Sequence, residues 1–394
     1  MRTLLALLEG AWLHIGWWLQ AVVAWRDPRA PMGARRALVL LVGGPLLLLV
    51  QVGHFCCFLL DELLYPAYRR QPIGQALFVI GVPRSGTTFV HRTLAGDARR
   101  FRAPQAWEVA LAPAICQRRL LRRLAGLDAK LGGYGRRGVE QLVRRLTGGL
   151  DAIHPVDLAA PEEDYLTLLP AGGCFLLLLL YPSAAGLQGL SHFQRRLSAG
   201  RQKRLLDCYE RCLQRQLYAD AGLGEGAVLL SKNAAFGSWL QPLYERFPQA
   251  RFLVCLREPR SALSSQVSSV QAAERLGVAV RGTAFQQELI DAYAGSLEHL
   301  EQAVEQCAPD RAVVLDAADL RTDPGGVLRA ALERLGEPVD GALADLLVRQ
   351  QEAGPGTSRH HHDPAALAWA QQAIEVRLWP PYRHLLASAY RIRG

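Results

Sequence analysis

The stretch GVPRSGTT, from Gly81 to Thr88, has the residue types of a phosphate-binding loop. Gly81 and Gly86 have the spacing of the glycines in the Walker A sequence GxxxxGK[ST], but Thr87 occupies the position of the lysine. Backbone N–H groups in such a loop, with the N-terminus of the following helix, bind an anion without any side chain. Arg84 adds a positive charge with planar donors that suit a phosphate or a sulfate. The stretch therefore predicts an anion site different from that of a Mg-dependent nucleotide triphosphatase.

GVPRSGTTF resembles the 5′-phosphosulfate loop of sulfotransferases that use 3′-phosphoadenosine 5′-phosphosulfate (PAPS). A second stretch, LREPRSALSS, is similar to the 3′-phosphate motif of that family, with Arg257, Pro259 and Ser265 at the family's spacing. In that motif, the end of a strand places a guanidinium and the next helix places a hydroxyl against the same phosphate. The alternative for Ser265 is a serine that only populates or caps a helix. The resemblance implies PAPS-binding roles for Arg84, Ser85, Gly86, Thr87, Thr88, Arg257 and Ser265.

Two further segments carry the resemblance, which spans roughly residues 75 to 394 and is closest to the bacterial branch and to protein-tyrosine and glycolipid sulfotransferases. FRAPQAWEVALAP resembles the segment in which a glutamate is the general base, and this implies that role for Glu108. LLSKNAAFGSWLQPLYERFPQARFLVCLREP is similar to a block that places a lysine at a strand end facing the donor, here Lys232. Ala234 stands where many relatives have proline.

The implied reaction is transfer of a sulfuryl group from PAPS to a hydroxyl acceptor, with no metal required. Such transfers pass through a loose transition state, so the protein chiefly aligns the reactants and stabilises charge on the leaving oxygen. The resemblance assigns that charge stabilisation to Arg84 and Lys232, and proton removal from the acceptor to Glu108. A nucleotide-dependent kinase and a non-catalytic membrane protein on the same scaffold are the alternatives, and the missing Walker lysine counts against the first.

Three groups of residues retain two interpretations. His154 and the run Glu162 to Asp164 could shape the acceptor pocket or form a second acid–base pair, but a helix N-terminus with carboxylates in its first turn explains the run equally well. Glu108, beside a tryptophan, could be an ordinary exposed helix carboxylate. The run His360 to His362 favours a surface loop near the nucleotide or acceptor, because adjacent histidines do not converge on one metal ion.

Short apolar runs precede the two anion-binding stretches and recur elsewhere, each followed by a segment with helical spacing. Four runs have the length and composition of buried parallel strands, and they begin at Ala76, Ala227, Ala250 and Arg311. Strands alternating with helices predict a parallel sheet covered on both faces. We therefore expect residues 71–394 to form a P-loop nucleotide-kinase-like α/β domain, the sulfotransferase domain.

Residues 1–70 predict a hydrophobic, membrane-associated helical region. The 24 residues from Ala37 to Leu60 include no charged side chain, and about 20 suffice to cross a hydrocarbon core. Before them, Thr3 to Trp25 is apolar and rich in tryptophan, and neither segment ends in a cleavage site typical of a signal peptide. A long helix buried in a soluble core is the alternative.

The arginines between the two apolar segments favour a cytoplasmic linker by the positive-inside rule. A single span would then place the rest of the chain outside the cell. A cytoplasmic catalytic domain requires either two spans or a segment that bends at Gly43-Gly44-Pro45 and returns. We expect one of these two arrangements, with the catalytic domain in the cytoplasm at a bacterial inner membrane.

Residues 114–150 contain nine basic and two acidic residues. Arginine pairs at 118/119 and 122/123 fall on one helical face beside leucines, which suits an anionic membrane surface or a solvated helical face. No nucleic-acid partner is expected, because no recognisable reader fold accompanies the charge. A nearby membrane favours a lipid, a glycolipid or another amphiphile as the acceptor.

Composition agrees with a cytosolic catalytic domain. The net charge is +9, but only three of the 45 basic residues are lysines, a bias typical of GC-rich bacterial genomes. Eight cysteines are scattered without a C-x-x-C pair, which indicates reduced thiols rather than a disulfide framework. The sequence contains no indication of oligomeric state.

Overall fold

The fold was analysed in a computed structural model that describes residues 2–147, 157–220, 227–354 and 363–393. Its centre is a five-stranded sheet with the order β2-β3-β1-β4-β5, in which every pairing is parallel. The strands are β1 Ala76–Gly81, β2 Phe101–Arg102, β3 Val228–Asn233, β4 Ala250–Leu256 and β5 Ala312–Asp316. The predicted α/β class with a parallel sheet is confirmed, and the four predicted strands are present. Only β2, which has two residues, was missed.

Register brings the carboxyl ends of the three central strands to one edge. Val79 of β1 lies opposite Lys232 of β3 on one side and Leu253 of β4 on the other. Each residue of β1 and β3 is buried, as expected of strands covered on both faces. In open parallel sheets ligands bind outside this edge, and the predicted loop and the segments after β3 and β4 all start there.

Helices cover both faces of the sheet. Phe78 and Ile80 of β1 point into the larger core cluster, whereas Leu77 and Val79 point into a smaller cluster on the other face. The α-helices are α1 Arg2–Val23, α2 Ala34–Leu38, α3 Gly44–Leu64, α4 Thr87–Ala95, α5 Ala106–Ala110, α6 Ile115–Lys130, α7 Tyr134–Thr147, α8 Ala185–Gln188, α9 Phe193–Arg196, α10 Ala199–Ala219, α11 Leu240–Arg246, α12 Pro259–Ser269, α13 Thr283–Val304, α14 Ala317–Thr322, α15 Pro324–Arg334, α16 Gly341–Ala353, α17 Gln371–Arg377 and α18 Trp379–Ala387.

Shorter helical turns join these elements. A π-helical turn, Val39–Gly43, connects α2 to α3, so that Ala34–Leu64 runs as one helix. By length and composition, this helix could cross a membrane. The 3₁₀ segments are Pro66–Arg70, Asp164–Ala171, Phe175–Leu179, Gly189–His192, Ala234–Trp239, Val270–Leu276 and Pro364–Ala370.

The N-terminal helices pack directly on the rest of the chain. α1 lies against α10 and the segment Asp164–Ala171, and a Cβ at Gly10 would meet the carbonyl oxygen of Pro170 at 2.2 Å. His14 Nε2 lies 2.7 Å from the carbonyl oxygen of Leu169. Glycine is therefore required at position 10 for this close approach, and the first 70 residues share a core with the sheet domain.

Candidate active site

The loop between β1 and α4 requires unusual backbone conformations. Gly81 has φ 153°, and a Cβ there would lie 2.0 Å from the carbonyl oxygen of Cys255 in β4. Gly86 has φ 90°, and Arg84, with φ 65°, is the single non-glycine residue in the described ranges with positive φ. A left-handed conformation costs a non-glycine residue roughly 1–2 kcal/mol, and such strain concentrates at functional sites. The loop is therefore held in one shape by its neighbours.

The side chains of the two predicted anion-binding motifs meet at this loop. Arg84 Nε donates to Ser265 Oγ at 3.0 Å, and Arg257 Nη1 donates to the carbonyl oxygen of Arg84 at 3.3 Å. The hydroxyl of Tyr293 on α13 donates to the carbonyl oxygen of Pro83. The contacts join the loop after β1 to α12 and α13, although Arg84 and Ser265 are 181 positions apart in the chain.

The electrostatics of this group favour an anion. Burial lowers the pKa of Arg84 from its usual value. For Arg257 burial is again the main cause of a lowered pKa, and the nearby charges of Arg321 and Arg84 lower it further. Guanidinium groups nonetheless stay protonated in proteins, so two charged groups held close together gain free energy when a phosphate or sulfate approaches.

The remaining predicted loop residues sit at the start of α4. Ser85 is buried, and its hydroxyl donates to the carbonyl oxygen of Val82 at 2.6 Å. Gly86 is the N-cap residue and has no side chain that could cap the helix. Thr87 and Thr88 begin its first turn. The first N–H groups of a helix have no partner within the helix, so this turn offers backbone donors to an anion.

Lys232 lies in β3 and is almost completely buried, with 2 % of its side chain exposed. Its Nζ is 2.5 Å from Oε1 of Glu163, whose side chain is 17 % exposed. Glu163 is the N-cap residue of the 3₁₀ segment Asp164–Ala171, which agrees with the helix-start interpretation of the acidic run. Its contact with Lys232 could not be read from the sequence, where only the Pro-Glu-Glu-Asp pattern marked it.

A buried polar network fixes the segment that carries Glu163. The Asp164 carboxylate accepts hydrogen bonds from the Asn233 side chain and, at 2.8 Å, from the Tyr209 hydroxyl. Tyr209 Oη also lies 2.9 Å from Ser231 Oγ. Burial raises the pKa of Asp164 to about 6, against the opposing effect of these hydrogen bonds. Asp164 thus ties the acidic run to the end of β3 and positions Glu163 beside Lys232.

Glu108 is buried, with 5 % exposure, so the exposed-carboxylate alternative does not hold. It is the third residue of α5, and its Oε2 accepts from the backbone N–H of Gln105 at 3.0 Å in a capping box. Its Oε1 accepts from Arg122 at 2.9 Å, and Arg122 also pairs with Asp220. The structure therefore pairs Glu108 with Arg122, whereas Lys232 pairs with Glu163.

An apolar cleft begins at the loop. The part next to the loop, called the inner part, is lined by Pro83 after β1, Ala235 after β3 and Tyr293. Phe175 and Leu289, among others, are shared with an outer part. Pockets that bind small molecules have mostly apolar walls, as this cleft does. The cleft therefore offers a site for an apolar group next to the anion-binding loop.

His154 and the run from His360 to His362 are outside the described residues. Within the described part of the chain, no group of three or more His, Cys, Asp or Glu side chains could hold a metal ion.

A family model described as the sulfotransferase family matches residues 76–341, more than half of the chain. The chain belongs to the sulfotransferase family. The match begins at the first residue of β1 and includes the loop, Glu108, Lys232 and both Arg257 and Ser265. A search of curated protein sequences gave no match.

Two solved structures share the fold of this sulfotransferase. The crystal structure of sulfotransferase STF1 from Mycobacterium tuberculosis H37Rv has a TM-score of 0.67 at 18% identity, covering 94% of this chain and 92% of that one. Sulfotransferase STF9 from Mycobacterium avium has a TM-score of 0.62 at 15% identity, with 84% of each chain covered. A match covering 94% of the chain extends into the first 70 residues, so at least part of the N-terminal helical region belongs to the shared fold.

Proposed function

We propose that this sulfotransferase transfers a sulfuryl group from PAPS to the hydroxyl of an amphiphilic acceptor, a lipid or a glycolipid. The observation that supports this most directly is the meeting of the two anion-binding motifs, in which Arg84 Nε lies 3.0 Å from Ser265 Oγ and Arg257 contacts the Arg84 carbonyl oxygen. A donor with phosphate groups at two positions needs two anion subsites side by side. The first turn of α4 and the loop would hold the 5′-phosphosulfate, while Arg257 and Ser265 would hold the 3′-phosphate.

The donor supplies the sulfuryl group and a phosphate as leaving group. We assign to Lys232 and Arg84 the stabilisation of negative charge on the leaving oxygen, a contribution that grows in a site from which water is excluded. Lys232 is paired with Glu163 in the structure. Because an ammonium has three N–H donors, Lys232 can contact a leaving oxygen while it stays beside Glu163.

Two carboxylates are candidates for the general base. The family motif proposes Glu108, whose two oxygens already accept hydrogen bonds from Gln105 and Arg122. Glu163 is the second candidate, because it lies against Lys232, which is assigned to the leaving oxygen, and 17 % of its side chain is exposed. In either case the carboxylate takes the proton of the acceptor hydroxyl while the hydroxyl oxygen bonds to sulfur.

The apolar cleft supports an amphiphilic acceptor. Its inner part is lined by residues that follow β1 and β3, including Pro83 and Ala235, so it adjoins both the loop and the strand of Lys232. An acceptor with a hydroxyl at one end and an apolar body at the other would place the hydroxyl at the loop. We further propose that the enzyme works at a membrane, with the catalytic domain on the cytoplasmic side.

Nucleotide binding tests the proposed donor. Calorimetry with 3′,5′-adenosine bisphosphate (PAP), ADP and ATP, each with and without EDTA, should show tight PAP binding that EDTA does not change. Arg257→Ala should abolish the preference for PAP over AMP, whereas the exposed control Arg349→Ala on α16 should preserve it. Mg-dependent ATP binding without PAP binding would identify the kinase alternative and overturn the proposal.

Paired variants test the base. If Glu108 is the base, Glu108→Gln keeps PAP affinity and lowers turnover by about 10²–10⁴-fold, the usual contribution of acid–base catalysis, while Glu163→Gln has a smaller effect. If Glu163 is the base, the order is reversed. Full turnover in both variants would remove carboxylate catalysis from the proposal.

A further inference from the structure

Helix α1 exposes large apolar side chains on the side that faces away from the domain. The side facing the domain includes the buried residues Ala6, Gly10, His14, Trp17 and Ala21. The exposed side carries large apolar side chains at helical spacing, namely Leu5, Leu8, Trp12, Ile15, Leu19 and Val23, together with Gln20. A surface helix of a soluble protein turns its polar face to water, so this stripe calls for a partner that is not water.

The helix Ala34–Leu64 has a similar exposed side, and several of its polar side chains are buried. Its buried side includes Arg36, Gln51, His54 and Asp61 beside Leu40 and Phe58. Its exposed side includes Leu38, Leu41, Val42, Leu46, Leu49, Val50, Val52, Leu60 and Leu63. Polar groups therefore face the protein and aliphatic groups face away, an arrangement that is favourable against hydrocarbon and unfavourable against water.

Helices α6 and α7 extend this surface. α1 contacts α3, α3 contacts α6, and α6 contacts α7, so the four helices form a continuous layer. Exposed apolar side chains continue along it at Leu120, Leu124, Leu127, Leu131, Tyr134, Val139 and Leu142. These residues and the exposed stripes of α1 and Ala34–Leu64 are called the N-terminal apolar face. In the described chain after Leu142, large exposed apolar side chains are few and scattered. The N-terminal apolar face is unusual by comparison, because monomeric soluble proteins rarely expose one large contiguous apolar patch.

Both ends of Ala34–Leu64 are fastened to the sheet domain. Near its start, Arg36 donates to the carbonyl oxygens of Leu276 at 3.2 Å and Leu180 at 3.4 Å. Near its end, Asp61 accepts from the backbone N–H of Ile115 at 2.7 Å and pairs with Arg215 at 3.2 Å. Asp61 and Arg215 are fully buried.

This fastening decides the orientation of the helix. Its 31 residues are about 46 Å long, longer than a hydrocarbon core of about 30 Å, and a crossing helix would separate its two ends by that thickness. Because both ends contact the same domain, the helix lies along the domain surface.

The charge beside the apolar face identifies the kind of membrane. On α6 and α7 the exposed basic residues are Arg119, Arg123, Lys130, Arg136, Arg137 and Arg145. Basic residues next to a membrane surface are attracted to anionic headgroups. Tryptophans favour the interface region of a membrane. Trp12 on α1 and Trp25 in the linker after α1 are both exposed.

We propose that the N-terminal apolar face inserts into one leaflet of an anionic bilayer, with Ala34–Leu64 lying in the membrane surface instead of crossing it. The arginines of α6 and α7 contact the lipid headgroups. This mounting also brings the apolar cleft to the bilayer, because Arg29, in the linker between α1 and α2, pairs with Glu288, which lines the outer part of the cleft. The surface and its lipid partner do not depend on sulfuryl transfer.

Vesicle flotation without any nucleotide tests the insertion. The full chain should float with vesicles of equal parts phosphatidylcholine and phosphatidylglycerol. Leu46→Glu/Leu49→Glu should lower the affinity by at least tenfold, because burying each leucine side chain is worth roughly a tenfold factor in affinity. The matched control Val348→Glu/Val376→Glu adds the same charge on exposed apolar sites of α16 and α17 and should bind as the parent does. Equal binding of all three proteins overturns the proposal.

The basic residues are tested by charge reversal. Arg123→Glu/Arg137→Glu should reduce binding to the phosphatidylglycerol vesicles by tenfold or more, because each basic residue near an anionic surface contributes roughly a fivefold factor. Binding to pure phosphatidylcholine vesicles should not change. Arg349→Glu/Arg393→Glu, with two exposed arginines elsewhere, is the charge-matched control. An effect of equal size in the control would show that net charge alone is responsible and would overturn the headgroup contact.

Cysteine labelling separates lying in one leaflet from crossing. Gly33→Cys and Gln75→Cys place thiols on exposed positions before and after the helix, in a Cys56→Ser background that removes the exposed native thiol. A membrane-impermeant maleimide added outside sealed proteoliposomes should label both positions in the same molecules. Labelling of one position only would show a span and overturn the proposal. An unchanged vesicle affinity of Leu46→Glu/Leu49→Glu, together with a change from dimer to monomer in light scattering, would show that a second copy covers the face and would also overturn it.

Discussion

Variants of the Lys232–Glu163 pair can separate its contribution to stability from its contribution to catalysis. Lys232→Met removes the ammonium and leaves the Glu163 carboxylate, 17 % exposed, without its partner at 2.5 Å. Breaking a buried pair from one side costs about 3–5 kcal/mol, and partial exposure of Glu163 places this variant near the lower end, at roughly 3 kcal/mol. Glu163→Gln should destabilise by a comparable amount, because it leaves an almost fully buried ammonium.

The double variant Lys232→Met/Glu163→Gln removes both charges while keeping similar volumes. Replacing both partners is nearly neutral where replacing one is not, so we expect its free energy of unfolding to return to within about 1 kcal/mol of the parent. Turnover should not return. Loss of charge stabilisation on the leaving oxygen costs about 10²–10³-fold in kcat, and restoring the fold does not replace that charge.

Urea unfolding and PAP release measure the two quantities on the same proteins. PAP release from PAPS is followed with an alkyl glucoside as the hydroxyl acceptor, and PAP affinity is measured by calorimetry as a check on the site. Lys203→Met, at an exposed lysine on α10, is the matched control and should behave as the parent. Recovery of both stability and turnover in the double variant would show that the pair is structural only and would refute the assignment of Lys232 to the leaving oxygen.

Three further predictions concern the loop and the helix that follows it. Gly81→Ala should lower the free energy of unfolding by at least 2 kcal/mol by a rough estimate, because its Cβ would lie 2.0 Å from the Cys255 carbonyl oxygen. The control Gly53→Ala, in open space on a helix, should instead stabilise the protein by about 1 kcal/mol. Equal melting temperatures of the two variants would contradict the loop geometry. Arg84→Lys should weaken PAP binding by about tenfold, since an ammonium lacks the planar donors, and unchanged calorimetric affinity would exclude Arg84 from the donor site. Burial lowers the pKa of His91 in α4 to about 3 from 6.5, so the unfolded chain binds a proton that the folded chain does not, and stability falls as pH drops from 6.5 toward 3. Urea titrations of the parent and His91→Leu should show a His91-dependent loss of roughly 2 kcal/mol between about pH 7 and about pH 5, and parallel pH profiles would contradict it.

Local features of the fold were readable from the sequence. The strands β1, β3, β4 and β5 are short apolar runs, and a strand buried on both faces has that signature whatever surrounds it. The loop from Gly81 to Gly86 was equally readable, because its glycines are needed by its own backbone conformation. β2 was not, since two residues, Phe101–Arg102, carry no periodicity.

Contacts between distant segments were decided by the tertiary structure. Lys232 meets Glu163 because Asp164 hydrogen-bonds Asn233, the last residue of β3, and nothing in either local sequence encodes that register. Glu108 could be marked as a carboxylate of interest, but the capping box and Arg122 that surround it come from folding.

The N-terminal region shows the same division. Length and composition alone established that Ala34–Leu64 is long and apolar enough for a membrane. Its direction relative to the domain depends on Arg36 and Asp61, which are buried against partners far along the chain. Sequence determines how much apolar surface a helix carries, because that is a sum over its residues. Only the tertiary structure determines which side is covered, because burial is a property of the neighbours.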